Sequence, residues 1–297
     1  MKKCCATKAY LTGIVVLGVL TAGSFAIAGS DKHSSDHNSG GGTKPPVVSK
    51  IVDLGAASTF GVFGGGAGMT NQGIYTVVKG DIGTTAASTL ITGFHDSKAV
   101  YTETTMNKGN VTGAVYTATA PRGSAPGVKA AAVALAAQEA FDTLSPAALP
   151  GGIDVSTLGG GAGELGGRYL APGVYKSAPG SFAITGGDLT LDGRGDPNAT
   201  FVFQMATTLT VGGPGTAFPQ SVYLINGAQA KNVFWQVGSA ATINAAGGGT
   251  MAGTIIAFSG ASFSTAGNTA LTALEGRALA LHASVTMVNT IVTVPAP

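Results

Sequence analysis

The C-terminal half of the chain repeats one short pattern. Five segments, Gly187-Asp188-Leu189-Thr190-Leu191, Thr207-Thr208-Leu209-Thr210-Val211, Ala240-Ala241-Thr242-Ile243, Gly260-Ala261-Ser262-Phe263 and Ala283-Ser284-Val285-Thr286-Met287, each end in a hydroxyl residue followed by an apolar one. The hydroxyls stand at 190, 210, 242, 262 and 286, so the gaps are 20, 32, 20 and 24 residues. A unit near 20 residues accounts for two gaps directly. The longest gap holds an insertion around Gly212-Gly213-Pro214, and the gap of 24 holds an extra turn at Gly267-Asn268. Matching apolar strands precede four of the segments, at 201–205, 233–237, 255–258 and 278–281. A unit this short cannot bury its own apolar side, so successive units must stack. The expectation is a mostly β fold, a parallel β-solenoid.

Strand alternation assigns faces to the repeat. Leu191, Val211, Ile243, Phe263 and Met287 point inward, and Thr190, Thr210, Thr242, Ser262 and Thr286 point outward. Two residues away, on the same outward side, stand Thr208, Asn244, Ser264 and Ser284. Stacked strands lie about 4.8 Å apart, so these nine residues form a grid of small polar groups and methyls. Outward Thr is common on any solvated strand because of its β-propensity. An ordinary solvated face also carries Lys and Glu, and this one has almost none. A second hydroxyl-bearing side is offered by Thr250, Thr254 and Thr272.

Composition supports the same class. Charged residues are 10% of the chain, against ~25% in ordinary domains, and glycine supplies 47 of 297 residues. A disordered chain would be poor in Val, Ile, Leu and Phe, and collagen would need glycine at every third position; neither holds. The formal net charge of +2 provides no basic field for nucleic acid. At the start, Lys2, Lys3 and Lys8 precede an uncharged apolar stretch over 9–27 that ends in Ala26-Ile27-Ala28. This is the pattern of a secretory signal peptide, expected over 1–28. Cys4 and Cys5 would leave with it, so the mature protein would hold no disulfide and no thiolate. Residues 29–50, with Gly40-Gly41-Gly42 and Pro45-Pro46, read as a flexible polar linker. Residues 51–297 then form one domain.

The N-terminal half of that domain reads as strands and turns. Residues 51–54, 59–63 and 74–78 are β-like, and Gly80-Asp81-Ile82-Gly83 and Ile91-Thr92-Gly93-Phe94 look like corners that turn one apolar side chain inward. Residues 95–123 are more polar and suit an end cap. One long helix is expected over about 126–144, rich in alanine, the best helix former, with Ser124 as a candidate cap, Pro126 in the first turn and Pro146 as the stop. Nearly every position in it is small or apolar, so it should lie against the solenoid with Leu135 and Phe141 buried.

Nothing in the sequence assembles a catalytic centre, and the chain reads as a non-enzyme without metal or cofactor. Asp188, Asp192 and Asp196 are the densest acidic group, but Gly193-Arg194-Gly195-Asp196-Pro197 is turn chemistry. His95 and His282 stand without an evident partner, and the glycine runs lack the Lys-Ser/Thr of a phosphate loop. One function open to such a solenoid is secreted adhesion or polysaccharide binding, for which Tyr101, Tyr116, Tyr169 and Tyr175 are the candidate aromatics; Trp235 reads as core.

Several stretches, in order, carry a family resemblance. They are Gly80-Asp81-Ile82-Gly83, Ile91-Thr92-Gly93-Phe94, Leu170-Ala171-Pro172-Gly173-Val174-Tyr175, Leu189-Thr190-Leu191-Asp192-Gly193 continuing through Phe201-Val202-Phe203-Gln204, Asn232-Val233-Phe234-Trp235-Gln236-Val237 and Gly276-Arg277-Ala278-Leu279-Ala280. With the alanine-rich helix, they make the chain resemble the DUF3494 family of ice-binding proteins from about Val52 onward. The resemblance implies a discontinuous right-handed β-solenoid of triangular section, with a helix alongside and the first and last parts of the chain adjoining. It implies secretion, a monomer with its face left free, and adsorption to ice with thermal hysteresis and inhibition of recrystallisation. The face would comprise Thr190, Thr208, Thr210, Thr242, Asn244, Ser262, Ser264, Ser284 and Thr286.

Overall fold

The computed structural model describes residues 52–158, 163–213 and 219–297, all within one compact unit, Lys44–Pro297. The expected signal peptide and linker lie outside the described residues. Among those described, strands fall into three sheets of 14, 7 and 3 strands, paired in parallel except for one short antiparallel pair, Phe94–His95 with Val100–Tyr101. The four apolar strands stack in register as expected: Trp235 pairs with Phe203 and Ile255, and Ile255 with Ala278. Two of them are longer than the sequence suggested, Thr250–Ala257 and Thr272–Ala280.

The stacking order departs from chain order where the last coils meet the first, and again at the outer end, where Gly109–Val111 pairs with Phe94–His95. Beyond Val285–Met287 the next strand is Met69–Asn71, then Ile91–Thr92. In the largest sheet, Ala278–Ala280 likewise pairs with Val62–Gly64. The N-terminal coils therefore continue the C-terminal stack, which is the expected discontinuity. Ile82, Ile91 and Phe94 are fully buried, but they lie in short strands rather than at corners. Val52–Leu54 is not a strand; the chain enters through a 3-10 turn at Gly55–Thr59.

The core is filled by one inward residue after another. Trp235 stacks on Phe203 with centroids 4.0 Å apart, and Phe203 meets Phe182 edge-on at 5.9 Å. The indole N–H, which burial would otherwise leave unpaired, donates to Ala252 O at 2.9 Å.

The single α-helix among the described residues, Val128–Thr143, connects the two ends of the stack. The chain leaves the N-terminal coils at Val115–Thr117 and re-enters at Ile153–Asp154, which pairs with Tyr175-Lys176 at the other end. Its 16 residues span about 24 Å at 1.5 Å each, close to five strand spacings. The helix docks differently from expectation. Ala130, Val133, Ala136, Ala137 and Ala140 are buried, with Leu144 just beyond, against Phe63, Ile256 and Leu279. Leu135 is 67% exposed, and Phe141 is half-buried beside Phe258. A strip of alanines lets the helix axis approach the sheet, and larger side chains are pushed to its flanks. Ser124 does not cap the helix: its hydroxyl accepts Val115 N–H and its N–H donates to Tyr101 Oη, tying the final coil. At the other end, Gln204 Nε2 donates to Leu144 O and Leu149 O, both at 2.8 Å, and so satisfies the carbonyl of the C-cap residue and fastens the turn that follows it.

Candidate functional site

The seven-stranded sheet builds the candidate face. Its strands are mostly triplets with buried outer members and a half-buried central one. The centres line up as Ala183, Thr210, Thr242, Ser262, Thr286, Thr70 and Thr92. The inward neighbours, among them Val211, Ile243, Phe263 and Met287, are fully buried, which holds the central residue's side chain out. Adjacent rungs touch: Thr92 Oγ1 donates to Thr70 Oγ1 at 3.0 Å, and Ser262 Oγ lies 3.5 Å from Thr242 Oγ1. The side chains are half-buried because each is flanked by its neighbours up and down the stack.

A second column runs beside the first. The parallel hydrogen bonding continues one residue before each triplet, from Leu209 N–H to Ala240 O, Ala241 N–H to Gly260 O, Ala261 N–H to Ser284 O and Val285 N–H to Gly68 O. Thr208, Ala240, Gly260 and Ser284 therefore share the outward side; at the next rung Gly68, at φ 77° and buried, accepts the bond but lies where the strand has not yet begun. Every residue in the two columns is small and uncharged.

Six of the nine expected residues, Thr208, Thr210, Thr242, Ser262, Ser284 and Thr286, come together on this surface, and three do not. Thr190 belongs to the three-stranded sheet, where it pairs with Tyr169 and Tyr223 and is buried. Its place in the ladder is taken by Ala183, because Phe182-Ala183-Ile184 is the strand that pairs with Leu209–Val211. Asn244 and Ser264 follow the triplets at φ of 47° and 60°, where the chain turns through the left-handed region, and both are buried. Strand alternation has ended by then, so two residues on no longer means the same face. The Asn244 side chain instead clips the corner to the next one, accepting Gln220 N–H and donating to Gln220 O. Thr70 and Thr92 were missed. Met69-Thr70-Asn71 and Ile91-Thr92 carry the pattern of a hydroxyl after a buried apolar residue, but only the order of stacking places them with the others.

The alternative hydroxyl side does not form a surface, since Thr254 and Thr272 are fully buried. The aromatic candidates divide. Tyr101 and Tyr175 are buried, and burial raises both phenols, Tyr175 to about 12. Tyr116 is half-buried against Phe60, with ring centroids 5.4 Å apart. Tyr169 is 76% exposed, and Tyr223, not among the expected candidates, is 52% exposed.

Other clusters resolve into structure. Asp192 and Asp196 accept backbone N–H of Arg194 and Asn198 at 2.8 Å, which is turn chemistry as expected, whereas Asp188 accepts that of Ser221 at 2.6 Å and ties one coil to the next. His95 does have a partner, Glu103, and His282 packs on Phe258 with ring centroids 4.4 Å apart. No group of three or more His, Cys, Asp or Glu suited to a metal occurs among the described residues.

A family model described as ice-binding-like matches residues 63–293. The chain belongs to this family. It is 36% identical over 244 residues to an ice-binding protein of Nostoc sp. (strain HG1), covering 81% of this chain and 73% of that protein. An ice-binding protein of Leucosporidium sp. (strain AY30) is 37% identical over 200 residues, 65% of this chain and 67% of that one. Among solved structures, an ice-binding protein from an Antarctic biological consortium superposes with TM-score 0.59 at 30% identity, over 81% of this chain and 90% of that one. The DUF3494 domain of Shewanella frigidimarina ice-binding protein 1 gives TM-score 0.65 at 25% identity, over 83% and 98%. The match spans the stack of coils, and the threonine columns lie inside the matched region.

Proposed function

We propose that this protein binds ice through the outward side of the seven-stranded sheet. The observation that carries the reading is the ladder Thr210, Thr242, Ser262, Thr286, Thr70 and Thr92, one small hydroxyl residue on each of six successive rungs, with the Thr242–Ser262 and Thr70–Thr92 hydroxyls in contact. Regularly spaced hydroxyls and methyls on a rigid sheet order the first water layer, and no charged side chain interrupts them. Each contact is weak. Affinity comes from their number and from a surface that is already ordered and loses little entropy on binding. Adsorption of this kind involves no chemical step, so the proposed role is a binding one, with hysteresis and recrystallisation inhibition as its consequences. Export by residues 1–28 belongs to the same proposal, as does a monomer whose face stays free.

The test is partitioning into a slowly growing ice hemisphere. The proposal expects the protein to enter the ice at a fraction well above that of a non-binding control. Exclusion from the ice overturns it. One observation favours a second reading: Tyr169 and Tyr223 stand exposed two strands apart, flanking Thr190 on the three-stranded sheet. Retention on an insoluble polysaccharide, lost in a Tyr169→Ala and Tyr223→Ala double variant, would support polysaccharide binding there.

A further inference from the structure

A cavity of about 760 Å³ lies far from the threonine columns, on the helix side of the largest sheet. Its lining includes Thr200 and Asn232, each just before a strand of the largest sheet, Arg277 within the strand Thr272–Ala280, the entering segment around Asp53 and the closing segment 294–297. Lys231 and Asn198 also line it.

Arg277 is the unusual member. It sits beside Thr254 in the register of the sheet and is 5% exposed. Its guanidinium donates to Ser58 O from Nε at 3.0 Å and from one terminal nitrogen at 2.7 Å, with a long contact of 3.4 Å to Thr254 Oγ1. These acceptors are neutral. Among the described residues no carboxylate lies within ion-pair distance of Arg277; the nearest acidic member of the cavity lining is Asp53. Burial lowers its pKa to about 10, which still leaves it charged at neutral pH. Taking a cation out of water without a counter-ion is costly, and a planar guanidinium presents more N–H donors than these acceptors use. Lys231 adds a second positive charge to the lining, with Nζ 3.0 Å from the Pro297 oxygen. The Asp53 carboxylate is engaged by the Gly55 N–H at 3.0 Å.

We propose that this cavity is a binding site for a small oxyanion, held by the Arg277 guanidinium with Lys231 and the side-chain amides of Asn198 and Asn232 at its rim. Guanidinium matches the paired oxygens of a carboxylate or phosphate. Because Arg277 also fastens the entering 3-10 turn through Ser58 O, an anion bound there would tighten the junction between the first and last parts of the chain. The site is independent of the threonine face.

Inorganic phosphate is the probe. The expected result is saturable broadening of the phosphorus-31 resonance in the millimolar range, at fixed ionic strength set with chloride, and at least tenfold weaker binding to Arg277→Gln. A melting temperature that rises with phosphate beyond the chloride control in the wild type, and rises less in the variant, separates a bound ion from the general stabilising effect of phosphate on folded proteins. No broadening with the wild type overturns the proposal, as does equal broadening with a folded Arg277→Gln protein. If that variant does not fold, Lys231→Gln is titrated instead: several-fold weaker binding supports the site, and unchanged binding overturns it.

Discussion

The helix should be most sensitive where its side chains are smallest. Ala137 is fully buried against the largest sheet, near the middle of Val128–Thr143. Ala137→Leu adds three carbons where there is no exposed surface, so either the helix lifts from Phe63, Ile256 and Leu279 or the side chain leaves its rotamer. Overpacking of this kind costs about 1–3 kcal/mol. At roughly 2–4 °C per kcal/mol for a domain of this size, the melt should fall by about 2–12 °C. Val133→Ala, at another fully buried position, removes two methyl groups; at ~0.8 kcal/mol per carbon plus the cavity left behind it should cost about 2–3 kcal/mol. Leu135→Ala is the control: its side chain is 67% exposed, and such surface changes usually stay within about 0.5 kcal/mol. The assay is a melt followed by circular dichroism on the three variants. If Leu135→Ala falls as far as Val133→Ala while Ala137→Leu melts like the wild type, the helix docks by its other side and the alanine-strip argument is refuted.

Two further outcomes follow from the core and from two half-buried carboxylates. Trp235→Ala removes the stacking partner of Phe203 and orphans Ala252 O; a loss of about 3–5 kcal/mol is expected, read as a lowered denaturant midpoint by circular dichroism because the chain's one tryptophan is gone. For Asp81, burial alone would raise the pKa, but the Ala114 N–H, Lys129 and Thr59 outweigh it and hold the carboxylate below its usual value of 3.8. Burial likewise works against Glu164, whose bonds from Thr185, Gly166 and Gly186 keep it below 4.5. In both cases the folded state binds its proton less readily than the unfolded one, so their stabilisation is present above those values and is lost as pH falls through the lowered ones. Melts should therefore decline below about pH 4.5, and Asp81→Asn should flatten that decline; an acid limb unchanged in the variant would remove Asp81 from the explanation.

The stacking of the apolar strands could be read from the sequence because it depends on a local pattern, apolar residues and a corner recurring at nearly fixed spacing. Phe203, Trp235, Ile255 and Ala278 fell into register on that basis. The candidate face was only partly legible, for the same reason. Leu189-Thr190-Leu191 and Leu209-Thr210-Val211 are locally alike, yet they lie on different sheets, the first pairing with Val222–Ile225 and the second with Ala241–Ile243. Asn244 and Ser264 looked outward only while the strand was assumed to continue; their positive φ values mark where it stops. Thr70 and Thr92 join the ladder through a long-range stacking step, from Val285–Met287 to Met69–Asn71, and nothing local to either segment encodes that step. The helix shows a related limit. Its uniform composition did not distinguish a buried side, and the large apolar residues turned out to flank the contact.

The central claim, that the threonine columns bind ice, is tested most directly by placing one bulky group among them. Thr242 lies inside the ladder with Thr210 on one side and Ser262 on the other, and its side chain points outward. Thermal hysteresis should be measured for the wild type, for Thr242→Tyr and for Tyr223→Lys, the last altering an exposed residue on the three-stranded sheet, with circular dichroism melts as the folding control. The account predicts that all three melt alike, that Tyr223→Lys keeps its hysteresis, and that Thr242→Tyr loses most of it, because one protrusion lifts several neighbouring contacts from the ice. A Thr242→Tyr protein that keeps both its melt and its full hysteresis would contradict the assignment of this face.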